Sequence, residues 1–337
     1  MDIKSFLTRH PRLNYLQRCL RHWNDRNFIA EVLDIGRNPL KIEIERLGDK
    51  NPGRLIYIAQ TMGCDGFFAE LRFILHELYF CKQFGFVPVV RMPKSSCYAE
   101  PTTVNGTDNP FEYYFERVSN ISVEDALYSS AVIKHNFYQS KYIYKFLITH
   151  SGYTPSETYI EGMASLYREF IRVNKQMSLI IERSRKKIVN EKWSIGVHIR
   201  GADFKRHYSG HPQIVSAEEH IEAVERLWAT GNYGVIFLAT DDVDALKKFV
   251  ERFDRNVVYF SDVVRTGGDE TVMRSDIARE MHHYKLGMEV IRDMYTLSYC
   301  DALVAGLSNV SMFARIVKSS RKENYKEIVI LDKGIAG

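Results

Sequence analysis

The chain is poor in the features that would place it outside the ordinary globular classes. Its 337 residues include only five cysteines (Cys19, Cys64, Cys81, Cys97 and Cys300), odd in number, scattered and without a CxxC pair. That argues against a disulfide framework and a cysteine zinc cluster and for a reducing compartment. No run approaches about 18 uninterrupted apolar residues, and the N-terminus has no continuous apolar segment, so neither a transmembrane span nor a cleaved signal is predicted. Excess charge is lacking too: the net charge of +4 suits an anionic small ligand or a membrane surface better than bulk nucleic acid, for which no recognition motif occurs. No internal repeat or low-complexity tract is present. The sequons beginning at Asn105, Asn120 and Asn309 are chance matches in such a chain.

What is present is the 45% hydrophobic, 26% charged composition of a soluble globular protein, long enough for two domains. Ser194 to Ile199 is an apolar, β-branched run of the kind buried in a parallel sheet. His198 and Arg200 interrupt it at its C-terminal end, and Gly201 and Asp203 follow. Ligands of open α/β sheets bind at the carboxyl ends of strands, and two residues spaced by two share one side of a strand. An imidazole and a guanidinium converging there can clamp a phosphate; a charged loop in which Arg200 pairs with Asp203 fits the same residues.

Strands and helices alternate from Ser194 onward. Ser216-Ala-Glu-Glu219 is a capping box opening a helix to about Ala229. Strands are predicted at Gly234–Thr240, Asn256–Phe260, Asp301–Ala305 and Glu327–Leu331, with helices after Asp241, over Lys285–Cys300 and from Ser308. This alternation means a parallel, helix-covered sheet, and an α/β fold class.

Three further polar groups fall on its ligand-facing side. Thr240-Asp241-Asp242 directly follows a strand, and Gly306-Leu-Ser-Asn-Val-Ser311 joins a strand to a helix start, where free N–H groups and hydroxyls can hold a diphosphate. Asp293 flanks the apolar face of its helix and needs a donor partner, either a structural arginine or the amide edge of a base. Asp242-Val-Asp244 has a spacing that can chelate magnesium with a nucleotide diphosphate, but aspartates after a strand are also natural helix caps, which is the preferred reading.

The N-terminal half is less explicit. Residues 10–24 form a basic amphipathic pattern, with Leu13, Leu16, Leu20 and Trp23 on one face. A helix packed on its own domain and one lying on an anionic membrane both fit it. Arg54 to Thr61 is a strand, Met62-Gly-Cys-Asp-Gly66 a turn without the GxGxxG fingerprint, Phe67 to Phe84 a helix and Phe86 to Val90 a strand. Asp65 and Glu70, at the turn and the helix start, are candidate bases or simply N-terminal helix charges. Residues 92–150 are rich in Tyr, Phe, Asn and Ser, which fits sugar-binding loops or ordinary packed ones. Thr154-Pro-Ser-Glu157 is a capping box predicted to open one long helix to about Val189, where the domain boundary is placed.

Val197-His-Ile-Arg-Gly-Ala-Asp203, Phe237-Leu-Ala-Thr-Asp-Asp242, Asp293-Met-Tyr-Thr-Leu-Ser-Tyr-Cys-Asp301 and Ser308-Asn-Val-Ser-Met-Phe-Ala-Arg315 together resemble, in order, the fucosyltransferases of the α1,6/α1,2/protein-O group, especially the rhizobial nodulation enzymes. The resemblance covers 193–318 well and the first half loosely. It implies a GT-B architecture, two Rossmann-like domains facing across a cleft, and an inverting glycosyltransferase that uses GDP-fucose without a metal or other cofactor. Arg200 would hold the donor phosphates, His198 contact phosphate or ribose, Asp293 recognise guanine, and Ser308, Asn309, Val310 and Ser311 lie against the diphosphate. Asp203, Asp241 and Asp242 would organise the pocket. Several relatives carry a basic residue after Arg200 or after the aspartate, where this chain has Gly201 and Phe204, and Lys205 or Arg206 is the expected substitute.

The expected layout is an N-terminal extension (1–50), an acceptor-side domain (51–155 with the C-terminal tail), a linking helix (156–190) and a donor domain (191–337). The acceptor is expected to be a glycan or lipid-linked glycan in bacterial surface polysaccharide synthesis, and the location cytoplasmic, with 10–24 as a peripheral membrane contact. A transferase using another GDP-sugar, such as a heptose or rhamnose, and a non-catalytic sugar-nucleotide-binding protein are the alternatives.

Overall fold

The computed structural model describes residues 20, 43–61, 63, 65–133, 154–189, 191–201, 211–267, 272 and 278–336. The 10–24 pattern apart from Leu20, and the candidates Asp203, Lys205 and Arg206, lie outside them.

Two sheets are present among the described residues. The second, order β7-β6-β5-β8-β9, is wholly parallel: β5 (Trp193–Ile199), β6 (Tyr233–Thr240), β7 (Val257–Val258), β8 (Ala302–Gly306) and β9 (Glu327–Leu331). Its inner strands are the continuous apolar runs, buried along nearly their whole length because helices cover both faces. On one face Ile195, Val197 and Ile199 pack with α5 (Ala217–Trp228) and α6 (Val243–Phe253). On the other, Gly196 meets α7 (His282–Tyr299): a Cβ there would lie 3.1 Å from Cys300 and Leu297 side-chain atoms. His198 is the next residue on that face, so the absence of a side chain at 196 lets α7 settle beneath it.

The first sheet has the order β1-β4-β2-β3. β2 (Ile56–Gln60) pairs in parallel with β3 (Val87–Arg91) and β4 (Val132–Ile133), and β1 (Ile44–Glu45) adds an antiparallel edge. Between β2 and β3 runs α1 (Phe67–Phe84), closed by Gly85 in the left-handed region (φ 69°), where its N–H reaches the Cys81 carbonyl. A four-residue helix, α2 (Val123–Ala126), packs near the outer face.

The long helix predicted from 154 is two helices, α3 (Glu157–Phe170) and α4 (Lys175–Arg185). The chain leaves helical geometry at Ile171, Val173 bridges to Phe115, and the Asn174 side chain starts α4 by accepting from the Met177 N–H. The cap of α3 is Ser156, not Thr154: its hydroxyl accepts from the Tyr159 N–H. Ser216 and Glu219 form the predicted capping box. The C-terminal tail stays with the second sheet, since β9 pairs with β8 and Gln213 and Ala336 bond to Gly334 and His211. No described helix is long and apolar enough to cross a membrane.

One apolar cluster joins the halves, drawing on α1, α3, α7 and α8 (Asn309–Ser320). Phe68, in the first turn of α1, packs on Phe313 of α8 with ring centroids 5.0 Å apart. Phe67 meets Tyr114 edge-on at 5.3 Å, and Tyr114 stacks on Tyr284 of α7 at 5.5 Å. Aromatic contacts of this size add to simple burial. They bring the start of α1, at the carboxyl end of β2, against helices of the second sheet.

Candidate active site

Register along β5 brings the predicted polar groups to one sheet edge. His198 is opposite Ala239 of β6 and Ala305 of β8, and Ile199 is opposite Thr240, so Arg200, Asp241 and Leu307 all leave at the same level. His198 is buried, and its Nδ1 lies 3.2 Å from Ser308 Oγ. Burial, helped by the Arg200 charge and then that of His220, lowers its pKa to about 3. It is therefore a neutral ring tied to the start of α8.

At that start, Ser308 Oγ accepts from the Ser311 N–H at 3.0 Å, and Ser311 Oγ donates to the Gly306 carbonyl at 3.0 Å. Both hydroxyls are thus buried in capping the helix. What remains for an anion is the backbone: the N–H groups of Asn309 and Val310 have no acceptor among the described residues, and Asn309 Oδ1 is buried without a partner. A helix N-terminus with open N–H groups beside a guanidinium suits a diphosphate.

Asp242 caps α6, its Oδ1 accepting from the N–H groups of Asp244 (2.8 Å) and Ala245 (3.3 Å). The Asp242-Val-Asp244 spacing is therefore a capping arrangement, with Asp242 rather than Asp241 as the cap. Asp244 is exposed, and no metal-holding group of three or more His, Cys, Asp or Glu occurs among the described residues. Gly201 has a steric reason: a Cβ there would stand 2.3 Å from Asp241 Oδ1 and 2.9 Å from Asp242 Cβ. A larger residue after Arg200 would displace the 241–242 turn.

Asp293 is half-buried on α7 and makes no hydrogen bond or ion pair among the described residues. Burial raises its pKa to about 7, opposed by Arg292 and Arg265 and reinforced by Glu289 and Asp262. The structural alternative, pairing with an arginine, is not what the geometry has. Adjacent Arg292 instead holds Asp262 through two 2.8 Å bonds.

Across the aromatic junction, Glu70 is buried in the first turn of α1, and its Oε1 accepts from the Asp65 N–H at 3.2 Å. Burial raises its pKa, partly offset by the Thr61 hydroxyl and the Asp65 and Gly63 backbone. The Asp65 side chain is exposed.

Sequence reasoning missed Arg265 and the segment that carries it. Residues 259–266 lie along the end of β6, with the Thr266 N–H on the Asp241 carbonyl at 2.9 Å and the Val243 N–H on the Thr266 carbonyl at 3.2 Å. The segment has neither helical nor strand periodicity, so no sequence signal singled it out.

No protein-family model matches the chain, and no curated protein matches it in sequence. Solved structures do. NodZ alpha-1,6-fucosyltransferase soaked with GDP-fucose is similar over 78% of this chain and 92% of its own, at 17% identity and a TM-score of 0.50. The same enzyme co-crystallised with GDP is similar over 79% and 92%, again at 17% identity and 0.50. POFUT1 in complex with GDP-fucose is similar over 85% and 99%, at 14% identity and 0.45. The chain thus has the two-sheet GT-B fold of NodZ.

Proposed function

We propose that this protein is a glycosyltransferase that moves fucose from GDP-fucose to a hydroxyl of a glycan acceptor, with inversion and without a metal. The observation that carries the reading is the placement of Arg200, the open start of α8 and unpartnered Asp293 around one parallel sheet. That sheet belongs to the fold of an enzyme whose crystals have been soaked with GDP-fucose and grown with GDP.

In this reading the acceptor oxygen attacks the anomeric carbon of fucose as the bond from that carbon to the β-phosphate oxygen breaks. GDP leaves from the opposite face with the bonding pair. Arg200 and the Asn309 and Val310 N–H groups stabilise the charge growing on the diphosphate, where fixed donors contribute most. Neutral His198 fixes Ser308, and through it the first turn of α8. Asp293 accepts from the N1–H and N2–H edge of guanine. Glu70 takes the acceptor proton: its raised pKa makes it a stronger base than an exposed carboxylate. The Phe68–Phe313 contact sets its helix turn beside α8. Asp65 supplies the N–H that orients it.

The acceptor class assigned is a glycan or lipid-linked glycan of surface polysaccharide or oligosaccharide synthesis, following the resemblance in residues 193–318. Turnover assays across GDP-fucose, GDP-heptose, GDP-rhamnose and GDP-mannose test the reading. Fucose transfer supports it, transfer of another sugar alone shifts the donor, and GDP binding without any turnover leaves a binding protein.

A further inference from the structure

Among the described residues, three arginines and three carboxylates surround the middle of α7, and four of the six are already matched. Arg279 holds Glu289 through bonds of 2.6 and 3.0 Å, and Arg292 holds Asp262 through two of 2.8 Å. Arg265 and Asp293 are left over. Each lies in the field of the other, yet no bond joins them among the described residues. Direct pairing would be the ordinary outcome for two partly buried opposite charges. The fold therefore leaves one cationic donor and one carboxylate acceptor beside α7 without a direct bond to each other.

Arg265 is held in place for such a role. Its Nη1 donates to the carbonyls of Phe260 (3.0 Å) and Val263 (3.1 Å), and its guanidinium lies 5.3 Å from the centre of the Tyr259 ring. Two of its five N–H donors are thereby spent. The Nε–H is buried and has no partner among the described residues. A buried donor left open carries a desolvation cost that a ligand acceptor removes.

We propose that Arg265 reads the O6 atom of the donor's guanine while Asp293 accepts from N1–H and N2–H of the same edge, so that the pair selects guanine. The proposal rests on the GDP-sugar reading of the site. The chemistry of the base fits it: guanine offers an acceptor, O6, next to two donors in a row, N1–H and N2–H. Adenine offers the reverse, an amine opposite the guanidinium and a bare N1 opposite the carboxylate, so both contacts become repulsive. With Arg265 facing O6 and Asp293 facing N1–H, the base completes the charge pairing that the free protein leaves open. Asp293 stays ionised because the guanidinium remains across the base from it.

Isothermal titration of GDP, 6-thio-GDP and ADP against the wild type, Arg265→Met and Arg265→Lys tests this. The thio ligand keeps N1–H and N2–H but replaces O6 by a weak acceptor. The wild type should bind GDP at least ~10-fold more tightly than 6-thio-GDP, and should reject ADP. In Arg265→Met, GDP should lose at least ~10-fold and bind like the thio ligand, with Arg265→Lys in between. Equal affinity of the wild type for GDP and 6-thio-GDP overturns the proposal and leaves the donor reading intact. So does an Arg265→Met protein that keeps both GDP affinity and the preference. If the wild type binds no GDP at all, the donor reading itself fails. Because Nη1 also ties down Phe260 and Val263, the methionine variant can lose its fold; the wild-type comparison of the two ligands then decides alone.

Discussion

Asp293→Asn should make the protein more stable and worse at binding its donor. A carboxylate moved from a pKa of 3.8 to about 7 by burial costs the folded state up to about 4 kcal/mol above pH 7. Water reaching its open side reduces that to about 2–4 kcal/mol. The sign follows from linkage: the folded state holds the proton more tightly than the unfolded chain, so the cost is absent below about pH 4. It grows as pH rises from about 4 to 7, and stays constant above. The amide carries no charge to desolvate. Thermal melts of the ligand-free proteins should therefore show Asp293→Asn several degrees more stable at pH 8 and indistinguishable near pH 4. In the same samples, GDP affinity at pH 8 should fall by about 2 kcal/mol, ~30-fold, because a charged acceptor for two base N–H groups is replaced by a neutral group with one acceptor. The wild-type advantage should shrink as pH drops through 7. A variant that is less stable at pH 8, or one that binds GDP as the wild type does, would return Asp293 to a purely structural role.

Arg200→Ala should lower kcat/KM more than ~100-fold, about 2.7 kcal/mol of transition-state stabilisation, and Arg200→Lys should recover only part, since a point charge lacks the bidentate fork; steady-state kinetics check both. Gly201→Ala should lower the melting temperature and weaken GDP binding together, because its Cβ would stand 2.3 Å from Asp241 Oδ1 and push the 241–242 turn away. Turnover should persist in excess EDTA, as expected of Asp242 capping α6; complete loss reversed by manganese would overturn the metal-free mechanism. Glu70→Gln should reduce kcat by ~10²–10⁴-fold with little change in the KM for donor. A KM effect alone would remove Glu70 from proton transfer.

Local pattern was enough to specify most elements of the second sheet. Ser194–Ile199 and Gly234–Thr240 are largely apolar runs, and such runs adopt the same strand where helices cover both faces, while Glu327–Leu331, with a charged end, is the half-exposed edge strand. Ser216, Glu219 and Ser308 cap helices as their spacing requires, because a cap is satisfied within about four residues of itself. The polar residues at strand ends were legible for the same reason: the end of a strand is a local property, and so is the parity that sets His198 and Arg200 on one side.

What sequence alone left open depends on residues far apart in the chain. The stretch predicted as one helix breaks at Ile171, where the chain turns extended and Val173 pairs with Phe115, and Asn174 then caps the second half. The first turn of α1, which carries Glu70, meets α8 through Phe68 and Phe313, a contact across more than two hundred positions that no periodicity encodes. Arg265 was invisible because its meaning lies in pairings made elsewhere. Asp262 and Glu289 take the neighbouring arginines, and only that tertiary matching leaves Arg265 and Asp293 without a direct bond among the described residues. Capping and strand burial are settled by neighbours in the chain, whereas the partner of a charge is settled by whichever opposite charge the fold brings nearest.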